Sequence, residues 1–137
     1  MINFLVVTHG EFGAYMVEAA EGIVGRQDEG VRVVPISSRQ SVPEVRERLL
    51  RALRELLAGE GVILFTDMPG GTPGNLAFPL VKDLPGVEMI SGVNLYMLVS
   101  AFSHRREYGL AELVAKVFQD GQKSIRDIRQ MFLAKVR

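Results

Sequence analysis

Asn3-Phe4-Leu5-Val6-Val7-Thr8-His9-Gly10 decides the fold, and its grammar returns at Val62-Ile63-Leu64-Phe65-Thr66-Asp67. Each begins as a short, dense apolar run and stops abruptly at polar residues. Density of this kind is expected of strands buried on both faces, as in a parallel sheet. Two further runs behave similarly, so strands are predicted over Asn3 to Val7, Val31 to Ile36, Val62 to Thr66 and Val87 to Ile90.

The segments between these runs have helical period, the alternation of βαβ units with right-handed crossovers. Phe12, Tyr15, Met16, Ala19, Ala20, Ile23 and Val24 form the first predicted apolar face, and Gly25 stops it. Ser41-x-x-Glu44 has capping-box form. It opens a helix whose apolar line is Val42, Val45, Leu49, Leu53, Leu56 and Leu57. Glu44, Glu47 and Glu55 alternate with Arg46, Arg48, Arg51 and Arg54 on its other side, which reads as a solvated face laced by intrahelical ion pairs. A third helix is expected to take Thr72 as cap and Pro73 as its first residue, with Pro79 kinking or shortening it. Leu95 to Phe102 is an apolar segment ending in Ser103-His104-Arg105-Arg106, and a helix from Leu110 should run to about Asp120-Gly121. The tail from Lys123 to Arg137 fits either a helix or an edge strand.

At 137 residues without repeats or linkers, one domain over 1–137 is expected. Sixteen basic and sixteen acidic residues cancel, so no net field favours nucleic acid or an anionic membrane. The absence of cysteine removes thiol chemistry and suits a reducing compartment, and no apolar run reaches bilayer-spanning length. A soluble, unprocessed cytoplasmic protein is the natural expectation. Two distant histidines without cysteine offer no metal-ligand spacing, and no cofactor is expected.

Topology turns the pattern into a site. Four parallel strands joined by single helices commonly adopt the doubly wound order 2-1-3-4, giving a three-layer α/β sandwich. Strands 1 and 3 then adjoin at the switch point, which brings His9 beside Asp67. A carboxylate on one ring nitrogen fixes the imidazole tautomer and leaves the other nitrogen's lone pair outward as a nucleophile. Gly70, Gly71 and Thr72, at the entrance of the third helix, offer backbone N–H groups to a phosphoryl group without lysine or metal. Taken singly, His9 reads as a turn or capping residue and Gly70-Gly71 as a turn. Their convergence at one sheet edge is what indicates a phosphoryl site.

The sequence also resembles a known family. Thr8-His9-Gly10, Ala19-Ala20-Glu21-Gly22-Ile23-Val24-Gly25, Asp67-Met68-Pro69-Gly70-Gly71-Thr72-Pro73-Gly74-Asn75 and Gly92-Val93-Asn94-Leu95 are similar to the IIA domain of the mannose-family sugar phosphotransferase system. The resemblance implies a phosphocarrier that receives a phosphoryl group on His9 from the phosphocarrier protein HPr and passes it to a IIB domain. Asp67 would bond the ring, and Gly71 and Thr72 would touch the phosphoryl group. It further implies a homodimer, formed in some members by exchanging an antiparallel edge strand near the carboxyl terminus, for which the stretch after Lys123 is the candidate. Association with the membrane sugar permease would be peripheral and come only through partners. Tyr96, where many members have proline, and Pro79 depart from the family pattern. With no IIB segment before Arg137, the acceptor is expected to be a separate protein. A regulatory phosphohistidine module without sugar transport is the alternative, and a hydrolase using Thr8, Thr66 or Thr72 with His9 and Asp67 is disfavoured by the lack of a Gly-x-Ser-x-Gly elbow. His104, followed by Arg105-Arg106, reads as part of a polar loop between helices.

Overall fold

A computed structural model describes residues 1–136. Four parallel strands, β1 (Asn3–His9), β2 (Val31–Ile36), β3 (Val62–Thr66) and β4 (Val87–Ile90), lie in the order β2-β1-β3-β4. β1 outruns its predicted end at Val7 because Thr8 and His9 still find partners, in register with Pro35 and Ile36 of β2. His9 is therefore held as the last residue of a central strand.

The helices are α1 (Phe12–Val24), α2 (Val42–Leu56), α3 (Thr72–Val81), α4 (Leu95–His104), α5 (Leu110–Lys123) and α6 (Ile128–Val136). Alternate residues of a strand point to opposite faces, and both faces of β1 are covered. Phe4 and Val6 pack with Ile63 and Phe65 under α1, α4 and α5, while Leu5 and Val7 pack with Val62 and Leu64 under α2 and α3.

The first two helices bury less of their predicted faces than expected. On α1 the buried positions are Gly13, Val17 and Ala20, whereas Phe12, Tyr15 and Ile23 are exposed. Small residues let α1 lie close to the sheet, and that turns the bulky ones outward. On α2, Ser41 Oγ accepts from the Glu44 N–H at 3.2 Å, so the cap forms as read, and the charged face is open to solvent. Val42, placed on the apolar face, is exposed. Among the described residues the ion pair of this face is Glu55 with Arg32 of β2 at 2.7 Å, not an intrahelical one.

Further expectations are corrected, and the open reading of the tail is resolved. Gly71, not Thr72, is the N-cap of α3. Thr72 and Pro73 are its first residues, and the helix continues through Pro79 to Val81. The polar loop expected at His104 is the end of α4, and the tail after Lys123 forms α6 rather than a strand, leaving a four-stranded sheet among the described residues. α6 presents Ile128, Phe132 and Leu133 to solvent, with Ile125 just before it.

Candidate functional site

The carboxyl ends of β1 and β3 meet as the switch-point rule requires, with Val7 in register with Thr66. Asp67, one residue beyond β3, turns its carboxylate onto His9. Its Oδ2 accepts the His9 backbone N–H at 2.9 Å and lies 2.6 Å from the ring Nδ1. Its Oδ1 accepts the Met68 N–H at 2.9 Å. Burial raises the Asp67 pKa, but the hydrogen bonds from the His9 backbone and ring, the His9 charge and the Met68 N–H outweigh that and hold it below the ordinary 3.8. An ionised carboxylate makes Nδ1 the protonated nitrogen of the neutral ring and leaves Nε2 with its lone pair. The Asp67 side chain is 10 % exposed and that of His9 45 %, so the orienting carboxylate is shielded and the imidazole is accessible.

The entrance to α3 closes on this ring. A Cβ on Gly71 would stand 2.9 Å from His9 Cε1 and 3.6 Å from Nε2, so a side chain there would occupy the ring's own space. Glycine at this position lets main chain approach the imidazole edge. The first-turn N–H groups of α3 have no partner inside the helix and carry the positive end of its dipole. Asn75 holds the turn: its Nδ2 donates to Gly70 O at 3.2 Å and its backbone N–H to Gly71 O at 2.9 Å. His9, Asp67 and Gly71 are thus brought together, with Gly70 and Thr72 flanking Gly71. Next to them, a hollow of about 320 Å³ is lined by Thr66, Met68, Pro69, Gly70, Gly74, Asn75, Phe78, Met89 and Ser91. The Asn75 brace escaped the sequence reading, although an asparagine in the first turn of a helix opened by glycines is a signal for it.

His104 and its two arginines lie at the other end of the sheet. Arg105 is 3 % exposed and donates to Ile2 O, Gln27 Oε1, Glu29 O, Asn3 Oδ1 and Gly30 O, which uses all five of its N–H groups. Burial, then Arg106, lower its pKa to about 10. His104 stacks on Tyr108 with ring centroids 5.1 Å apart. Neither group contributes to the His9 site.

A parallel α/β sandwich carrying a carboxylate-oriented histidine beside a helix entrance defines the class: a doubly wound domain with its candidate site at the switch point of the sheet. Residues 3–118 match the family model EIIA-man, described as PTS system fructose IIA component, and the chain belongs to that family, the IIA components of the mannose-type phosphotransferase system. It is 25% identical over 126 residues to the fructose-specific EIIA component of Bacillus subtilis, covering 92% of this chain and 86% of that protein. It is 29% identical over 129 residues to the mannose-specific EIIAB component of Escherichia coli K12, covering 93% of this chain but only 40% of that longer protein. Among solved structures, the IIA protein associated with the fucose utilization operon of Streptococcus pneumoniae superposes with a TM-score of 0.86 at 26% identity, with 96% of each chain covered. The EIIA component of Streptococcus agalactiae does so at 0.83 and 29%, covering 95% of this chain and 99% of that one. Members of this family are phosphotransfer proteins of sugar transport. No helix among the described residues is long and apolar enough to cross a membrane.

Proposed function

We propose that the chain acts over residues 1–137 as one IIA unit, a cytoplasmic phosphocarrier that takes a phosphoryl group from HPr onto His9 and delivers it to a separate IIB protein. The observation that carries this reading is the 2.6 Å contact of His9 Nδ1 with an Asp67 oxygen that also holds the His9 main chain. In the transfer, the Nε2 lone pair forms a bond to phosphorus as the N–P bond of phospho-HPr breaks, and that electron pair returns to the HPr imidazole. The Nδ1 proton stays against Asp67, whose charge offsets the positive charge developing on the ring. Gly70, Gly71 and Thr72 cradle the phosphoryl oxygens with backbone N–H groups, and Thr72 can add its hydroxyl. Delivery to IIB is the same step in reverse sense.

Docking of both partners falls on the rim around the ring, where Met68 and Phe78 stand 53% and 56% exposed beside Pro69. The apolar residues of the tail, Ile125, Ile128 and Phe132, are the candidate contact of a homodimer. Contact with the membrane permease occurs through the IIB partner. The test is label transfer from phosphoenolpyruvate in the presence of the upstream phosphotransferase and HPr. Acid-labile, alkali-stable label on the native chain, absent in His9→Ala, supports the phosphocarrier; no label on a folded native chain with a matched HPr refutes it. Met68→Asp should slow uptake from HPr, and an unchanged rate would remove Met68 from the docking surface.

A further inference from the structure

Thr8 is fully buried although it adjoins an exposed catalytic candidate, and its hydroxyl is used twice. Because neighbours on a strand face opposite ways, His9 turns toward α3 and Thr8 toward α1. There Oγ1 donates to Gly10 O at 3.1 Å and accepts the Gly13 N–H at 3.2 Å. The N-cap of α1, Glu11, makes no side-chain capping bond, so Thr8 supplies the side-chain acceptor for the first turn of α1 from the strand before it. Gly13 is the matching half. A Cβ there would fall 2.7 Å from Thr8 Oγ1 and 3.2 Å from Val6 Cγ1.

We infer that the Thr8 hydroxyl is a positioning device for His9: it locks the β1–α1 turn on the α1 side while Asp67 locks it on the β3 side. His9 lies between Thr8 and Gly10, both of which this lock holds. The backbone on either side of it is held, beyond it at Gly10 O by Thr8 Oγ1 and at its own N–H by Oδ2 of Asp67. Without the hydroxyl, the Gly10 carbonyl and the Gly13 N–H lose a partner, the turn relaxes, and the ring leaves the line of attack defined by Gly71. Small misplacements of a reacting group of this kind cost about a hundredfold in rate.

The inference rests on His9 as phosphoryl acceptor, so native uptake from phospho-HPr is measured first. An unlabelled native chain fails that earlier reading. With the native chain labelled, Thr8→Val, which keeps the shape and removes the hydroxyl, should lower the uptake rate at saturating phospho-HPr by about ten- to a hundredfold. The phospho-HPr concentration giving half-maximal rate should not change, because Thr8 touches no partner. Thr8→Ser should restore the rate to within about threefold, and the ¹⁵N resonances of the His9 ring should shift in Thr8→Val and return in Thr8→Ser. Uptake by Thr8→Val within about threefold of native overturns the inference, as does a Thr8→Ser variant that is equally slow. Should Thr8→Val fail to fold, Gly13→Ala keeps the hydroxyl but crowds it: slowed uptake with a shifted His9 ring supports the lock, and native uptake with an unshifted ring overturns it.

Discussion

Asp67→Asn isolates charge from geometry at the proposed phosphorylation site. The carboxylate receives three donors: the His9 N–H and ring Nδ1–H at Oδ2, and the Met68 N–H at Oδ1. An asparagine amide must place its NH₂ against one set of donors, and facing Met68 costs one hydrogen bond where facing His9 costs two. The amide oxygen therefore stays on His9, and the ring keeps its orientation. What disappears is the negative charge. A hydrogen bond to a charged group contributes about 1.5–3 kcal/mol and one between neutral groups about 0.5–1.5, a difference of about 1–2 kcal/mol. The ring is half open to water, which favours the lower part of that range. At 1.36 kcal/mol per factor of ten, phosphoryl uptake should slow about five- to thirtyfold. Single-turnover transfer of labelled phosphate from phospho-HPr, followed by rapid quench, reads this rate directly. A variant within about twofold of native would mean that the carboxylate charge does not stabilise the transition state. A loss beyond about a thousandfold in a folded variant would mean that the ring had lost its orientation, contrary to the amide argument.

Gly71→Ala, whose methyl would stand 2.9 Å from His9 Cε1, should slow uptake about tenfold or more with little loss of stability, and the His9 ring resonances should move with it. Because the folded-state pKa of Asp67 is depressed, its stabilising contribution is present above 3.8 and is lost as pH falls through the lowered value. The stability gap between native protein and Asp67→Asn in urea titrations should thus close as pH falls through the acid range below 3.8. Arg105→Met should cost about 3 kcal/mol or more by urea unfolding, since five acceptors from two chain segments lose their donor, while the His9 ring resonances stay put.

The strands and the site pair were legible because the signals are strong at short range. Dense apolar runs allow little but buried strands, and the switch-point order then places His9 against Asp67 with no further input. Orientation of the helices was less legible. Periodicity marks a stripe but not its depth, and on α1 the small residues Gly13 and Ala20 decided the contact over Phe12 and Tyr15. The α3 cap was misplaced by one residue because threonine is the better capping side chain, whereas the need for close approach to His9 put Gly71 there. Arg105 followed a histidine in a polar stretch and looked like surface. Its burial depends on acceptors at residues 2, 3, 27, 29 and 30, which no local reading gathers. The tail kept both readings open because the spacing of Ile125, Ile128 and Phe132 suits a helix while the family resemblance implied an exchanged edge strand.

The shared oxygen of Asp67 has a consequence for how the site behaves across a catalytic cycle. Main chain and ring hang from a single atom, so the mount is intact or undone, with no half-tightened condition between. In the proposed transfer the new bond forms at Nε2, on the far side of the ring, and Nδ1 keeps the same Asp67 partner before and after it. A site proposed to receive and release a phosphoryl group is served by such a mount, since neither direction has to rebuild the scaffold.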